Sequence, residues 1–67
     1  MSAVTARVNG EVRTLPAGTT LADLVPAEWT RGVAVARNDE VVPRTAWAAT
    51  LVAEDDAIEI VRPVSGG

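Results

Sequence analysis

Apolar and polar positions change period several times along the chain, and each change marks an element. Ala3 to Val8 sets small or apolar residues against Thr5 and Arg7 in alternation, as in a half-buried strand. Asn9-Gly10 follows, the dipeptide favoured in two-residue hairpin turns because both residues tolerate positive φ. Glu11 to Leu15 then returns as a second strand. Pro16-Ala17-Gly18 breaks the alternation. Thr19-Thr20 offers a helix N-cap, and Asp23 completes a variant capping box with Thr20. Leu21, Leu24 and Val25 share one helical face at offsets of three and four. A helix this short takes its stability from packing. Pro26 ends it, or opens another turn through Glu28 and Trp29.

Gly32 precedes Val33-Ala34-Val35-Ala36, a short Val-rich run that predicts a strand covered on both sides. Asn38-Asp39-Glu40 turns the chain into Val41-Val42, which Pro43 stops. Thr45 to Thr50 predicts one loose helical turn around Trp47, and Ala53 to Asp56 a polar turn. Ala57 to Val61 is the last strand, with Ile58 and Ile60 on one face and Glu59 on the other. The expected core is Val8, Leu15, Leu21, Leu24, Val33, Val35, Ile58 and Ile60. One short helix laid across a mixed sheet of four to five strands is the economical way to bury these stripes. The fold class is α+β, and the order fits a ubiquitin-like β-grasp.

Composition narrows what such a domain can do. At 67 residues the chain holds one domain, and a chain of this size buries only about 60% of its unfolded surface. Little is left to wall an enzyme pocket. The sequence has no Cys and no His, which excludes disulfides, thiolate or imidazole metal sites and Ser-His-Asp triads. Six arginines and no lysine against nine acidic residues give a net charge of −3, which argues against nucleic acid or an anionic membrane as partner. No apolar run approaches a membrane span, and the N-terminus has no secretory pattern. The expected location is the cytoplasm, and the expected free state a monomer.

Residues 1–61 are expected to form the domain and residues 62–67 a flexible tail. After Val61 the chain reads Arg62-Pro63-Val64-Ser65-Gly66-Gly67. Pro63 has no N–H for continued pairing, and the glycines carry no side chain to anchor them. Six extended residues reach roughly 20 Å at about 3.3 Å each. Such a tail can insert its carboxylate into a channel too narrow for any Cβ. Glu54-Asp55-Asp56 reads as a solvated turn, since no spaced oxygen ligands complete a cation site. Arg37 and Arg44 read as surface arginines rather than partner contacts. Trp29 and Trp47 read as packing residues, although Trp is enriched at hot spots. No Gly-rich phosphate loop occurs, so any ATP chemistry belongs to another protein.

Several segments together resemble one family. They are Val8-Asn9-Gly10-Glu11, Gly18-Thr19-Thr20, Val33 to Asn38, Glu40-Val41-Val42-Pro43-Arg44 with Trp47, Ile58 to Val61, and Gly66-Gly67. This is similar to the ThiS family, the ubiquitin-like sulfur carriers of thiamine thiazole biosynthesis. The resemblance implies a carrier with no turnover of its own. A ThiF-type adenylyltransferase would use ATP and Mg²⁺ to activate the Gly67 carboxylate. A sulfur donor enzyme would supply the sulfur that converts it to a thiocarboxylate, and thiazole synthase would accept that sulfur. The chain itself would bind no cofactor and no metal. Arg62, Pro63, Val64, Ser65 and Gly66 would touch the partners.

The chain departs from the family at Asp39 and Asp55, where such carriers often have Gly, so two strained or reshaped turns are expected. The helix is shorter, and the Arg-Pro-Val-Ser-Gly-Gly ending is closer to the MoaD-type small subunit of molybdopterin synthase. That subunit is the nearest alternative, along with a carrier for another sulfur metabolite. Outside the carrier class stand a ubiquitin-like protein-binding module and a modifier that forms isopeptide bonds. The acidic balance hints weakly at basic docking surfaces on partners.

Overall fold

The strands assemble around the last one. A computed structural model describes residues 2–29 and 31–62, in which Ala3–Val8 (β1) and Glu11–Pro16 (β2) form an antiparallel hairpin. Ala34–Arg37 (β3) and Glu40–Val42 (β4) form a second antiparallel hairpin. Ala57–Val61 (β5) enters between the two, parallel to β1 and antiparallel to β3. The five-stranded order is β2-β1-β5-β3-β4. This mixed sheet, with the short helix Leu21–Leu24 (α1) and a 3-10 helix at Arg44–Ala49, is the β-grasp arrangement expected from the element order.

The capping box forms as the sequence indicates. Asp23 N–H donates to Thr20 Oγ1 at 3.3 Å, and Thr20 N–H donates to Asp23 Oδ2 at 2.9 Å. The helix stops after one turn, and Trp29 N–H closes the next turn on the Pro26 carbonyl at 3.0 Å. Beyond the 3-10 helix the chain returns to the start of α1. Leu21 N–H donates to Thr50 O at 3.0 Å and Val52 N–H to Thr19 O at 2.9 Å. This stitch carries Val52 into the core.

The core joins Ala6, Leu15, Leu21, Val35, Trp47, Val52 and Ile58. Of the residues expected inside, Val8, Leu15, Leu21, Val35 and Ile58 are buried, while Leu24, Val33 and Ile60 are only half-buried. Ala6, Trp47 and Val52 complete the core in their place. A helix of four residues is too small to cover the full sheet, so Trp47 and Val52 from the return segment fill the space beside it. Trp47 is thus the packing residue it was read as, and its Nε1–H is satisfied by the Val42 carbonyl at 2.8 Å.

The strand expected at residues 33–36 lies at Ala34–Arg37, and it is covered on one face only. Val35 is buried, whereas Ala34 points to the open face and is exposed. Both helical elements pack on the same side of the sheet, and the other side is uncovered. Val12, Val41 and Val61 stand exposed on that open face in register with Arg7, Ala36 and Ala34.

Among the described residues, four other than glycine have positive φ: Asn9, Asn38, Asp39 and Asp55. Asn9-Gly10 and Asn38-Asp39 are both two-residue hairpin loops with positive φ at each position, the type I′ pattern. Asp55, at φ 66°, is the third residue of a turn closed by Asp56 N–H on Ala53 O at 3.1 Å. That turn requires positive φ there, which suits Gly or Asn. The two Asp residues therefore keep the turns and hold the left-handed backbone that glycine adopts without cost. Asp55→Gly should stabilise the fold by about 0.5 kcal/mol, the left-handed cost slightly exceeding the added freedom of the unfolded chain. Asp55→Val should destabilise it by about 1–2 kcal/mol. Urea unfolding of both variants checks the order, and a Val variant as stable as wild type contradicts it.

Candidate functional site

The site to be built is the path by which β5 leads toward the Gly-Gly end, and it begins at Asp56. This carboxylate is 5% exposed, directly before β5. Its Oδ2 accepts from Arg37 Nε at 2.9 Å and from Ala53 N–H at 2.7 Å, and its Oδ1 accepts from Asn38 Nδ2 at 3.0 Å. Burial pushes the Asp56 pKa upward. The hydrogen bonds from Ala53, Arg37 and Asn38, with the Arg37 charge, outweigh that and hold it below its ordinary 3.8. The 53–56 turn is accordingly not wholly solvated as its composition suggests. Asp56 points inward to organise the turn, while Glu54 Oε1 accepts from Thr5 N–H at 2.9 Å. Arg37, read as a surface arginine, is the half-buried partner of Asp56.

Two asparagines then hold β5 along its length. On the β3 side, Asn38 N–H donates to Ala57 O at 2.8 Å and Ala57 N–H donates to Asn38 Oδ1 at 2.9 Å. On the β1 side, Asn9 N–H donates to Ile58 O at 2.8 Å. The backbone of β1 has by then entered its hairpin turn, and the Asn9 side chain continues the ladder. Its Oδ1 accepts from Ile60 N–H at 2.7 Å and its Nδ2 donates to Ile60 O at 3.2 Å. A carboxylate in its place only accepts, whereas a carboxamide both donates and accepts. Both type I′ turns open with Asn rather than Asp, and that was the available sequence signal for this second role.

β5 pairs with β3 as far as Val61, opposite Ala34. Arg62 follows, exposed, with its guanidinium over the Trp29 ring at 4.8 Å from the centroid. Trp29, read as a packing residue, is half-buried and packs against this guanidinium. Arg44 lies over Trp47 at 5.0 Å. Pro63, Val64, Ser65, Gly66 and Gly67, the other site residues read from the sequence, lie outside the described residues.

Five of the nine acidic residues, Asp39, Glu40, Glu54, Asp55 and Asp56, lie around the start of β5, whereas Glu28 adjoins Trp29 beside Arg62. Among the described residues no helix is long and apolar enough to cross a membrane, and no group of three or more acidic side chains is placed to hold a metal.

A β-grasp sheet whose central last strand runs toward a Gly-Gly end defines a ubiquitin-like protein. Residues 6–67 match the ThiS family. The crystal structure of a thiamine biosynthesis protein, ThiS, from Geobacter metallireducens superposes with a TM-score of 0.69 at 32% identity, covering 96% of this chain and 100% of that one. A thiazole synthase of Magnetococcus marinus is 42% identical over 62 residues, which cover 90% of this chain and 19% of that protein. The chain therefore spans about a fifth of that relative. The chain belongs to the ThiS family.

The path predicts two outcomes. Asp56→Asn should cost about 2–3 kcal/mol at neutral pH, since it removes a charge that three donors face. The folded pKa of Asp56 is lowered, so its contribution is complete above 3.8 and is lost as pH falls through the lowered value. Urea unfolding should show the gap between wild type and variant closing below pH 3.8, and a gap constant with pH contradicts the account. Asn9→Ala should cost about 1 kcal/mol and free the Ile60 amide. Faster hydrogen exchange at Ile60, with Ile58 little changed, is the expected signature. An unchanged Ile60 rate contradicts it.

Proposed function

We propose that the chain carries sulfur for thiazole formation in thiamine biosynthesis, with the Gly67 carboxylate as the carrier group. The single observation that supports this most is the family match running through Gly67, so that it includes the Gly-Gly end as well as the domain. The Geobacter protein is a thiamine biosynthesis protein and the Magnetococcus relative a thiazole synthase, and both support the same pathway. The molybdopterin-synthase alternative has only the Arg-Pro-Val-Ser-Gly-Gly ending in its favour.

A carboxylate resists substitution because oxide is a poor leaving group. In the proposed cycle a ThiF-type adenylyltransferase holds ATP and Mg²⁺. A Gly67 carboxylate oxygen attacks the α-phosphate, pyrophosphate leaves, and an acyl-adenylate forms. A persulfide sulfur from a donor enzyme then attacks the carbonyl carbon and AMP departs with its bonding electron pair. Reductive cleavage of the resulting acyl disulfide by a thiol leaves the thiocarboxylate and a disulfide on the donor side. The chain supplies no acid, base or metal to these steps. It supplies a terminus without a side chain at the last two residues, and a domain for the partner to grip.

The test is the mass of the C-terminal fragment after incubation with ATP, Mg²⁺, a persulfide donor and a ThiF-type enzyme. The expected product has one oxygen of Gly67 replaced by sulfur, and the change is absent when Gly67 is deleted. Fragmentation separates this product from oxidised Met1, whose mass is nearly the same. An unmodified Gly67, with the same enzyme active on its own carrier, overturns the proposal and favours a non-covalent binding module.

A further inference from the structure

We infer that the stack of Arg62 on Trp29 is a positioning device, which fixes the root of the Gly-Gly segment before a partner engages it. The inference rests on the carrier reading above. β5 is secured by β3 as far as Val61 and by the Asn9 side chain at Ile60. Arg62 is the next residue, and Pro63 after it has no N–H with which to continue a ladder. Backbone pairing therefore ends where the aromatic contact begins. The guanidinium lies 4.8 Å from the centroid of the Trp29 ring. Trp29 in turn is set by its N–H bond to Pro26 O at 3.0 Å, in the segment after α1. The stack thus ties the end of β5 to a different part of the domain.

The benefit is entropic. A partner that draws the terminus into a channel must order the residues between the domain and Gly67. With Arg62 already held, five residues remain, and their extended reach is roughly 17 Å at about 3.3 Å each. Ordering lost in advance is not lost again on binding, so preorganisation lowers the apparent dissociation constant for the carrier without altering the chemistry at Gly67. Trp29 acts through Arg62 and touches no reacting atom. If Arg62 instead reached across to the partner directly, its contribution would not depend on Trp29.

The experiment is carrier-dependent ATP–pyrophosphate exchange by a ThiF-type enzyme, with KM and kcat measured for the carrier. An exposed cation–π contact corresponds to about a two- to fivefold effect. Trp29→Leu and Arg62→Gln should each raise KM by about that factor with kcat unchanged, and Arg62→Lys should recover part of the loss. The double variant should be no worse than either single one. Proton NMR of the free carrier supplies an independent readout. The Arg62 δ-methylene protons should be shifted upfield by the Trp29 ring, and Trp29→Leu should remove the shift while thermal unfolding confirms that the variant is folded.

Additive effects in the double variant overturn the inference in favour of direct partner contact by Arg62. A fall in KM overturns it by showing that the stack must open before binding, and an unchanged KM or a missing upfield shift overturns it outright. Failure of wild-type exchange, with the enzyme active on its own carrier, overturns the carrier reading and the role of the stack together. The NMR shift would then report a contact without that function.

Discussion

Asp56 is the point from which the rest of the molecule is organised. Its carboxylate takes hydrogen bonds from Ala53 in its own turn, from Asn38 in the β3–β4 loop and from Arg37 in β3. The turn before β5 and the β3–β4 hairpin, remote from each other in sequence, are thereby joined at the start of β5. The strand can then insert between hairpins that have no direct pairing with each other. A domain with only a few fully buried side chains, Leu21, Ile58 and Val35, has little apolar burial to spare for errors of register. Directional bonds at a low-exposure carboxylate set that register. The two asparagine side chains extend the same control to Ile60, so the direction of β5 is determined from its first residue almost to its last.

The same arrangement sets the course of the chain out of the sheet. The helical elements cover one face, and Val12, Val41 and Val61 stand exposed on the other. Asp39, Glu40, Glu54 and Asp55 surround the start of β5 beside Asp56. At its far end Arg62 meets the Trp29 ring, so side chains from other segments hold the strand at both ends.

Much of this was legible in the sequence because local signals agreed. Asn9-Gly10 fixed the first hairpin, the Thr20–Asp23 pair fixed the helix start, and alternation at Ile58, Glu59 and Ile60 oriented β5. The failures occurred where a side chain's role depends on a distant segment. Asp56 sits in an acidic run and looks solvated until Arg37 and Asn38 are brought beside it. Val33 and Leu24 looked like core residues by their neighbours. They pack against the core half-buried, and Trp47 and Val52 join it through the Thr19 and Thr50 backbone stitch. Asp39 and Asp55 were recognisable as departures from glycine, and both have the positive φ that glycine adopts more readily. The roles of Pro63 to Gly67 rest on the family resemblance, and these residues lie outside the described ones.

The central claim is that sulfur passes through Gly67 to a thiazole-forming enzyme. Isotopically labelled thiocarboxylate, installed at Gly67 chemically, bypasses the activation steps and tests the transfer itself. After incubation with thiazole synthase and its small-molecule substrates, the account predicts that label leaves the carrier, that Gly67 returns to a carboxylate, and that the label appears in the thiazole product. Label retained on Gly67 by a synthase that accepts sulfur from its own carrier, or released to the large subunit of molybdopterin synthase instead, would contradict it.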